Sequence, residues 1–358
     1  MLMEDQKTLD FDISPVGMSR LEGVDFSNLA FGKVFSDHMF VMDHAEGEWK
    51  RGEISSYGPM TFSPAMMSLH YGQAIFEGMK AFRQKDGGVA MFRPGENIKR
   101  FNLSAKRMGM PEVPADIFFQ ALVEMLKLDS GWVPNAPDGA LYIRPFMFAT
   151  ESHVGVRPSR EYRFCIFTCP VGAYYNKAVK VKVELHYTRA AMGGTGAAKA
   201  AGNYAGSLFP TELAKSAGYD QILWTDAATH TSVEECGTMN VAFVMDGKMV
   251  VPQTSDTVLA GITRASAVQL MRHHGVEVEE RKVTVQELID ASAAGRLTEA
   301  FGLGTAATVS PICTLGLPNG DWDLPEMSAW EVAPKVKALL DGVRYGTAED
   351  TFGWNIPV

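Results

Sequence analysis

At 358 residues the chain is long enough for two domains of ordinary size. Hydrophobic residues at 46% and charged residues at 21% match globular usage and exclude a disordered chain or a fibre. A net charge of -9 argues against a nucleic-acid backbone or an anionic membrane as the main partner, since either calls for clustered Lys and Arg. Cys165, Cys169, Cys236 and Cys313 form no Cys-x-x-Cys pair, so neither a disulfide scaffold nor a zinc or redox site is expected. Cys165 and Cys169 read as buried thiols. Glu4, Asp5, Lys7 and Asp10 precede any apolar run, unlike a signal peptide, and the uncharged run 300–320 is broken by Pro311 and Pro318. A cytoplasmic protein is expected.

Along the chain, 33–42 is expected as a strand, followed by a turn at Glu46-Gly47. Pro64, at an allowed first-turn position, opens an expected helix over 65–76 that carries His70 and Tyr71. Ile98, Phe101, Ala105 and Met108 recur at helical spacing and predict a helix over 97–108 that includes Arg100. Another helix is expected over 115–128, and 141–148 and 162–169 read as buried strands. The apolar pattern pauses over 170–177, which places an N-terminal domain at 1–172, a linker and first strand at 173–187, and a C-terminal domain at 188–358. Val179, Val181 and Val183 alternate with Lys180, Lys182 and Glu184 as a half-exposed strand. Beyond it come a helix over 207–216, a strand over 221–225, and a hairpin in which Asp246-Gly247 joins 241–245 to 249–251. Thr263 is expected to cap a helix over 264–274, and Thr284 with Glu287 to form a capping box for the next. Residues 296–301 read as a helix end, and a last helix is expected over 330–340.

The densest chemical signal is Lys199, a single lysine among small residues. Alone it reads either as a surface residue or as an amine nucleophile, and lowering its pKa from ~10.4 to near 7 would cost about 4–5 kcal/mol. Ala198 and Ala200 stand where a phosphate loop needs Gly and Ser or Thr, so that motif is excluded. Gly302-Leu-Gly304-Thr-Ala-Ala307 matches a dinucleotide fingerprint, but Ser310-Pro311 interrupts the helix that should follow, which leaves a nicotinamide-dependent oxidoreductase as a remote alternative. Gly261, Ile262 and Thr263 precede a helix and form a candidate anion site. The adjacent Glu234 and Glu235 read first as a solvated pair at a loop tip, and His273-His274 as a solvated helix face with no metal.

Taken together, 193–204 with its Gly-Gly-Thr-Gly-Ala-Ala-Lys-Ala-Ala-Gly-Asn-Tyr run, Glu-Cys-Gly-Thr-Met-Asn at 235–240, Gly-Ile-Thr-Arg at 261–264 and Phe-Gly-Leu-Gly-Thr-Ala at 301–306 resemble the branched-chain amino-acid aminotransferases, of the pyridoxal-phosphate fold-type IV class. The stretches 31–39, 76–82, 92–94 and 141–145, together with His70-Tyr71 and Tyr345-Gly346, are similar to landmarks of the same family. The resemblance implies a mixed α/β (α+β) fold of two domains, a smaller N-terminal α/β domain and a larger C-terminal pseudo-barrel, in a homodimer that binds pyridoxal 5′-phosphate. It implies that Lys199 holds the cofactor as a Schiff base and shuttles the substrate's Cα proton. Glu235 would keep the pyridine nitrogen protonated, Tyr204 would bond the phenolic oxygen, and Leu259 would pack on the ring face. Arg100, the turn at Gly261 with the amides of Ile262 and Thr263, and the Thr305 hydroxyl would hold the phosphate.

On the substrate side the resemblance assigns Thr238, Ala306 and Ala307 to the carboxylate, and Phe31, Tyr71, Phe76, Tyr142 and Tyr174 to an apolar cage. Arg144 would admit the second carboxylate of glutamate, and Val156 would come from a partner subunit. The implied reaction is transamination of L-leucine, L-isoleucine and L-valine with 2-oxoglutarate by a ping-pong route. Alternatives on the same fold are a D-amino-acid aminotransferase and an aminodeoxychorismate lyase. Mammalian members carry a Cys-x-x-Cys where this chain has Ala307 and Ser310, so a thiol switch there is ruled out.

Overall fold

The computed structural model describes residues 12–172 and 177–358. The chain divides into two compact units, Met1–Gly172 with Arg344–Gly346 and Asp350–Val358, and Ala173–Val343 with Thr347–Glu349. The end of the expected C-terminal domain therefore belongs to the first unit, because Asn355–Pro357 pairs antiparallel with Val89–Phe92. Val179–Val183, expected as a linker strand, lies inside the second sheet, between Gln221–Thr225 and Thr308–Leu317.

The first unit is built on a ten-stranded sheet. Eight strands lie in the order Asp12–Ile13, Glu53–Ser56, His38–Ala45, Tyr162–Val171, Ala140–Ala149, Met79–Arg83, Val89–Phe92 and Asn355–Pro357, while Glu48–Trp49 pairs with His38–Ala45 and Ala74–Phe76 with Ala140–Ala149. The helices Pro94–Arg107 and Ala115–Leu128 meet this sheet through Phe101, Phe118 and Phe164. Those three rings are fully buried edge-to-face at centroid distances of 5.3, 5.4 and 4.8 Å, the arrangement aromatic quadrupoles favour. Pro94 fits the helix start because its missing N–H has no partner there in any case. The helix expected over 65–76 is shorter. It spans Met67–Tyr71, Gly72 at φ 64° ends it, and Ala74–Phe76 turns to strand. The strand expected from 33 begins only at His38.

The second unit holds a nine-stranded sheet in the order Val233–Cys236, Gln221–Thr225, Val179–Val183, Thr308–Leu317, Leu297–Gly304, Asn240–Met245, Lys248–Pro252 and Val278–Arg281, with Gly320–Asp323 paired to Thr308–Leu317. The sheet curls until its first strand meets the sixth at an antiparallel bridge between Cys236 and Met239, the pseudo-barrel of the resemblance. Val181, Leu223, Val233, Val241, Phe243, Ala300, Ile312 and Leu315 fill one continuous apolar core inside it. The Asp246-Gly247 hairpin has both central residues at positive φ, 53° and 76°, as a tight type I′ turn requires. Thr284 caps Val285–Ala293 by accepting the Glu287 N–H at 3.0 Å.

Three expectations here are corrected. Residues 297–301 are strand, not helix: Leu297–Gly304 is paired on both edges, so tertiary pairing overrides local appearance. Gly302 to Ala307 then belongs to a hairpin that leads into Thr308–Leu317, and no helix follows to hold a pyrophosphate, which removes the dinucleotide reading. Thr263 does not cap its helix, which starts two residues earlier than expected, at Ile262, with Gly261 as N-cap. Burial pushes the Cys165 and Cys236 thiols up to about 12 and Cys169 to about 11, far from the thiolate a reactive cysteine needs. Among the described residues no helix is long and apolar enough to cross a membrane.

Candidate active site

In the second unit Lys199 stands just before Ala200, the N-cap of the one-turn helix Ala201–Ala205, which carries Tyr204 back over it. Lys199 Nζ donates to Tyr204 Oη at 2.8 Å. Asn203 fixes the loop before this pair: its Nδ2 donates to Thr195 O and Ala198 O at 2.8 and 2.9 Å, and its Oδ1 accepts the Thr195 hydroxyl at 2.7 Å. The small residues have a steric purpose. A Cβ on Gly196 would stand 2.6 Å from Ala190 Cβ and 2.7 Å from Thr257 Cα, so no side chain fits.

Glu234 and Glu235 are not a solvated pair. Both lie on Val233–Cys236, whose four residues are all buried, Glu235 to 4% exposure, so the strand is covered on both faces. Glu235 Oε1 accepts the Leu259 N–H at 2.7 Å and Asn240 Nδ2 at 3.3 Å, and Arg189 Nε lies 3.0 Å from Oε2. Burial pushes the Glu235 carboxyl above the ordinary carboxylate range, against the opposing pull of Arg189, the Leu259 amide and Lys199. Gly237, at φ 56°, and Thr238 then form a two-residue turn, and Thr238 is exposed at its tip. Arg189, Tyr204, Glu235, Thr238 and Leu259 line one pocket with Ala198 and Gly237.

Asn240 reaches onward from Glu235 to Leu259 O at 2.9 Å, next to the Gly261 N-cap of Ile262–His273. A Cβ on Gly261 would lie 1.8 Å from Asn240 Oδ1, which explains glycine there. Thr305, Ala306 and Ala307 form the turn after Gly304, and Thr308 closes it at φ 59°, a conformation costly for a β-branched residue. Met239 packs over Gly302 and Gly304, where added Cβ atoms would come within 2.6 and 2.9 Å of it. This places the Thr238 turn beside the Thr305 turn.

The first unit assembles other expected residues. Phe31 stacks edge-on against Tyr142 at 5.0 Å, Arg144 Nη2 donates to Tyr142 Oη at 2.9 Å, and the Arg144 guanidinium lies over the Phe76 ring at 4.7 Å. Gly78 makes room, since a Cβ there would sit 2.1 Å from Tyr142 Oη. Arg144 Nε is buried without a hydrogen-bond partner. Arg100 is held by Glu77, with Nε and Nη2 donating to its two oxygens at 2.7 and 2.9 Å, and Asn97 donates to the same carboxylate at 2.7 Å. Tyr71 and Val156 are exposed, Val156 to 88%. Tyr174 lies outside the described residues. The sequence reading did not single out Arg189, Asn240 or Glu77 as site residues. A lone arginine ten residues upstream of Lys199 carries no spacing signal.

An amine against a phenol, a buried carboxylate balanced by a cation, and a helix start at a glycine together define a site for a cofactor with a carbonyl, a phenolic oxygen, a basic ring nitrogen and an anionic tail. That donor set, on this curled sheet, is the fold-type IV class of pyridoxal-phosphate enzymes. Residues 74–315 match the family described as amino-transferase class IV, and the chain belongs to that family. It is 42% identical over 362 residues to the branched-chain-amino-acid transaminase 1 of Bacillus subtilis strain 168, covering all of this chain and 99% of that one. The solved branched-chain amino acid aminotransferase of Escherichia coli is 25% identical, with a TM-score of 0.72 over 89% of this chain and 98% of that one. The enzyme of Thermobaculum terrenum, solved in its PLP-bound holo form, shares the fold at 21% identity and a TM-score of 0.69 over 89% of this chain and 97% of that one.

Proposed function

We propose that the chain transfers the amino group of L-leucine, L-isoleucine or L-valine to 2-oxoglutarate by a ping-pong route, with Lys199 as the residue that binds pyridoxal 5′-phosphate. The observation that carries this is the Lys199–Tyr204 contact of 2.8 Å, with Tyr204 and Glu235 lining one pocket. The cofactor, when bound, supplies a carbonyl for the amine and a ring that accepts electron density. Lys199 Nζ would take the proton from the substrate's Cα and deliver it to C4′ of the cofactor, so that the nitrogen stays behind when the oxo acid leaves. Glu235 holds a proton on the ring nitrogen. Tyr204 Oη fixes the phenolic side, Leu259 flanks the ring, and the amides of Ile262 and Thr263 with the Thr305 hydroxyl meet the phosphate at a helix start suited to anions.

Substrate selection is proposed to rest on Phe31, Phe76 and Tyr142 for the aliphatic chain, rewarding about 0.8 kcal/mol per buried methylene. Arg144, with its buried unpaired Nε, is suited to the second carboxylate of glutamate or 2-oxoglutarate. Thr238 and the turn at Ala306 and Ala307 are proposed for the α-carboxylate. The exposure of Val156 supports a second copy of the chain covering it. Two assays test the reading. Lys199→Ala should remove both the visible absorbance that borohydride bleaches and turnover, and L-leucine should react where D-alanine does not; a Lys199→Ala protein that keeps the band would overturn it.

A further inference from the structure

Arg189 has no assigned part in binding the cofactor or the substrate, yet three chain segments of the second unit meet at its guanidinium. Its side chain is 8% exposed. Nη2 donates to Gly196 O at 3.3 Å, in the loop that leads to Lys199, and also to Thr257 O. The same two segments are joined by the Ala197 N–H donating to Asp256 O at 2.8 Å. Nε is buried, has no aligned hydrogen bond, and stands 3.0 Å from Glu235 Oε2. The contact is therefore one of charge with charge. Glu235 Oε1 is meanwhile held by neutral donors, the Leu259 amide and Asn240.

The charged groups that face Glu235 are Arg189, Lys199 and Glu234. Glu234, its neighbour on the strand, accepts the Thr257 hydroxyl with Oε1, and its Oε2 is buried without a partner. A carboxylate in such a place takes up a proton unless a cation opposes the desolvation. Lys199 cannot serve steadily, because its amine is the group that reacts. Arg189 stays charged throughout, since a guanidinium does not lose its proton in proteins.

We propose that Arg189 is a positioning residue that keeps Glu235 ionised and aimed, and that ties the Lys199 loop to the same point. This rests on the cofactor reading above. Its consequence is that loss of the Arg189 charge moves the proton from the cofactor's ring nitrogen to Glu235. A ring without that proton draws less electron density from the lysine linkage, which then holds its own proton to higher pH.

The experiment compares Arg189→Gln, Arg189→Lys, Glu235→Gln and the double variant R189Q/E235Q as holoenzymes. The readouts are circular dichroism for fold, the pH midpoint of the visible absorbance, and kcat. R189Q is expected to move the midpoint upward by about one pH unit and to lower kcat by about tenfold or more. R189K, which keeps the charge but loses the planar fork, is expected to retain the wild-type midpoint while unfolding at lower temperature. In the Glu235→Gln background R189Q should add no further shift. A folded R189Q with the wild-type midpoint, or a shift that persists undiminished in the double variant, overturns the proposal. Should R189Q not fold, R189K decides, because a midpoint displaced by R189K means that charge is not what Arg189 provides. Absence of the visible band in the unaltered holoenzyme would instead overturn the cofactor reading, and this inference with it.

Discussion

Lys199 Nζ donates to Tyr204 Oη across 2.8 Å, although the two residues are separated by a run of small side chains and the start of a one-turn helix. The short helix is what brings position 204 back over position 199. Tyr204→Phe keeps the ring and the helix but removes the oxygen. We expect kcat to fall by about 10- to 100-fold, the range for loss of one oriented polar partner at a reacting centre, with a displaced visible absorbance maximum and little change in unfolding temperature. Unchanged kcat in steady-state assays would remove Tyr204 from the site.

Gly261 and Asn240 are coupled by space alone, since a Cβ at 261 would sit 1.8 Å from Asn240 Oδ1. Gly261→Ala must push Asn240 away from Leu259 O and from Glu235 Oε1, which it now reaches at 2.9 and 3.3 Å. The backbone at 261, φ -70° and ψ 130°, accepts alanine without strain, so the helix itself should persist. Cofactor affinity, measured by titration of the apoenzyme, is expected to weaken by about tenfold, equivalent to one displaced hydrogen bond of about 1.4 kcal/mol. Equal affinity in the variant would show that Asn240 relaxes at no cost.

Much of this was legible in the sequence where local chemistry decides. The strand 221–225, the helix 115–128 and the Asp246-Gly247 hairpin follow from alternation, helical spacing and a turn dipeptide and stand as read, while the expected capping box keeps only its Thr284 half, because Arg281 holds the Glu287 carboxylate. The lysine segment stands out by its own residues, its role comes from the family resemblance, and the structure adds why those residues are small. What stayed hidden depended on partners far along the chain. Residues 296–301 looked helical because nothing local reports pairing with Asn240–Met245. Glu234 and Glu235 looked solvated because burial of a charge is visible only once Arg189, 46 positions from Glu235, is placed beside it. The helix expected over 65–76 failed at a glycine whose left-handed φ could not be told from its residue type alone.

Glu234 provides a prediction about pH. Burial raises its carboxyl pKa above the ordinary 4.5, more than the Thr257 hydroxyl and Arg189 lower it. A raised folded pKa means that the fold disfavours the ionised form. Stability from the neutral acid is therefore complete below about 4.5 and is lost as pH rises through the folded pKa. Glu234→Gln cannot ionise and avoids that loss. Thermal unfolding of the apoenzyme should find the variant more stable than the parent at pH 8, and the gap should close toward pH 4. A parent that is the more stable at pH 8 would count against it.

Arg144 lies over Phe76 at 4.7 Å and donates to Tyr142, so its guanidinium sits among the residues proposed to receive aliphatic chains. The two half-reactions separate its roles. Arg144→Met keeps much of the stem's packing and removes the charge. We expect kcat/KM for glutamate and 2-oxoglutarate to fall by about 100-fold, within the cost of losing a charge-assisted pair, and that for leucine to change by less than about threefold. Single-turnover rates for each amino donor give the comparison, and equal losses for both would deny Arg144 any discrimination.

Glu299, on Leu297–Gly304, caps a helix to which it is not adjacent in sequence. Its Oε1 accepts the N–H groups of Glu331 and Val332 at 2.7 and 2.8 Å, and its Oε2 that of Ala333 at 2.7 Å. The helix Val332–Arg344 thereby gains the acceptor its own sequence lacks, and it begins two residues later than the 330 expected, where the carboxylate meets it. Three donors on one buried carboxylate at a helix start add a cap, a charge–dipole attraction and desolvation avoided. Glu299→Ala leaves one buried N–H, that of Ala333, and the two part-buried ones of Glu331 and Val332 without this acceptor, at a cost of about 1–3 kcal/mol. Glu299→Gln keeps one acceptor oxygen and should lose about half as much. Urea unfolding should order the three proteins parent, Gln, Ala by midpoint. If Ala and Gln unfold together with the parent, the helix start is being held by something other than Glu299.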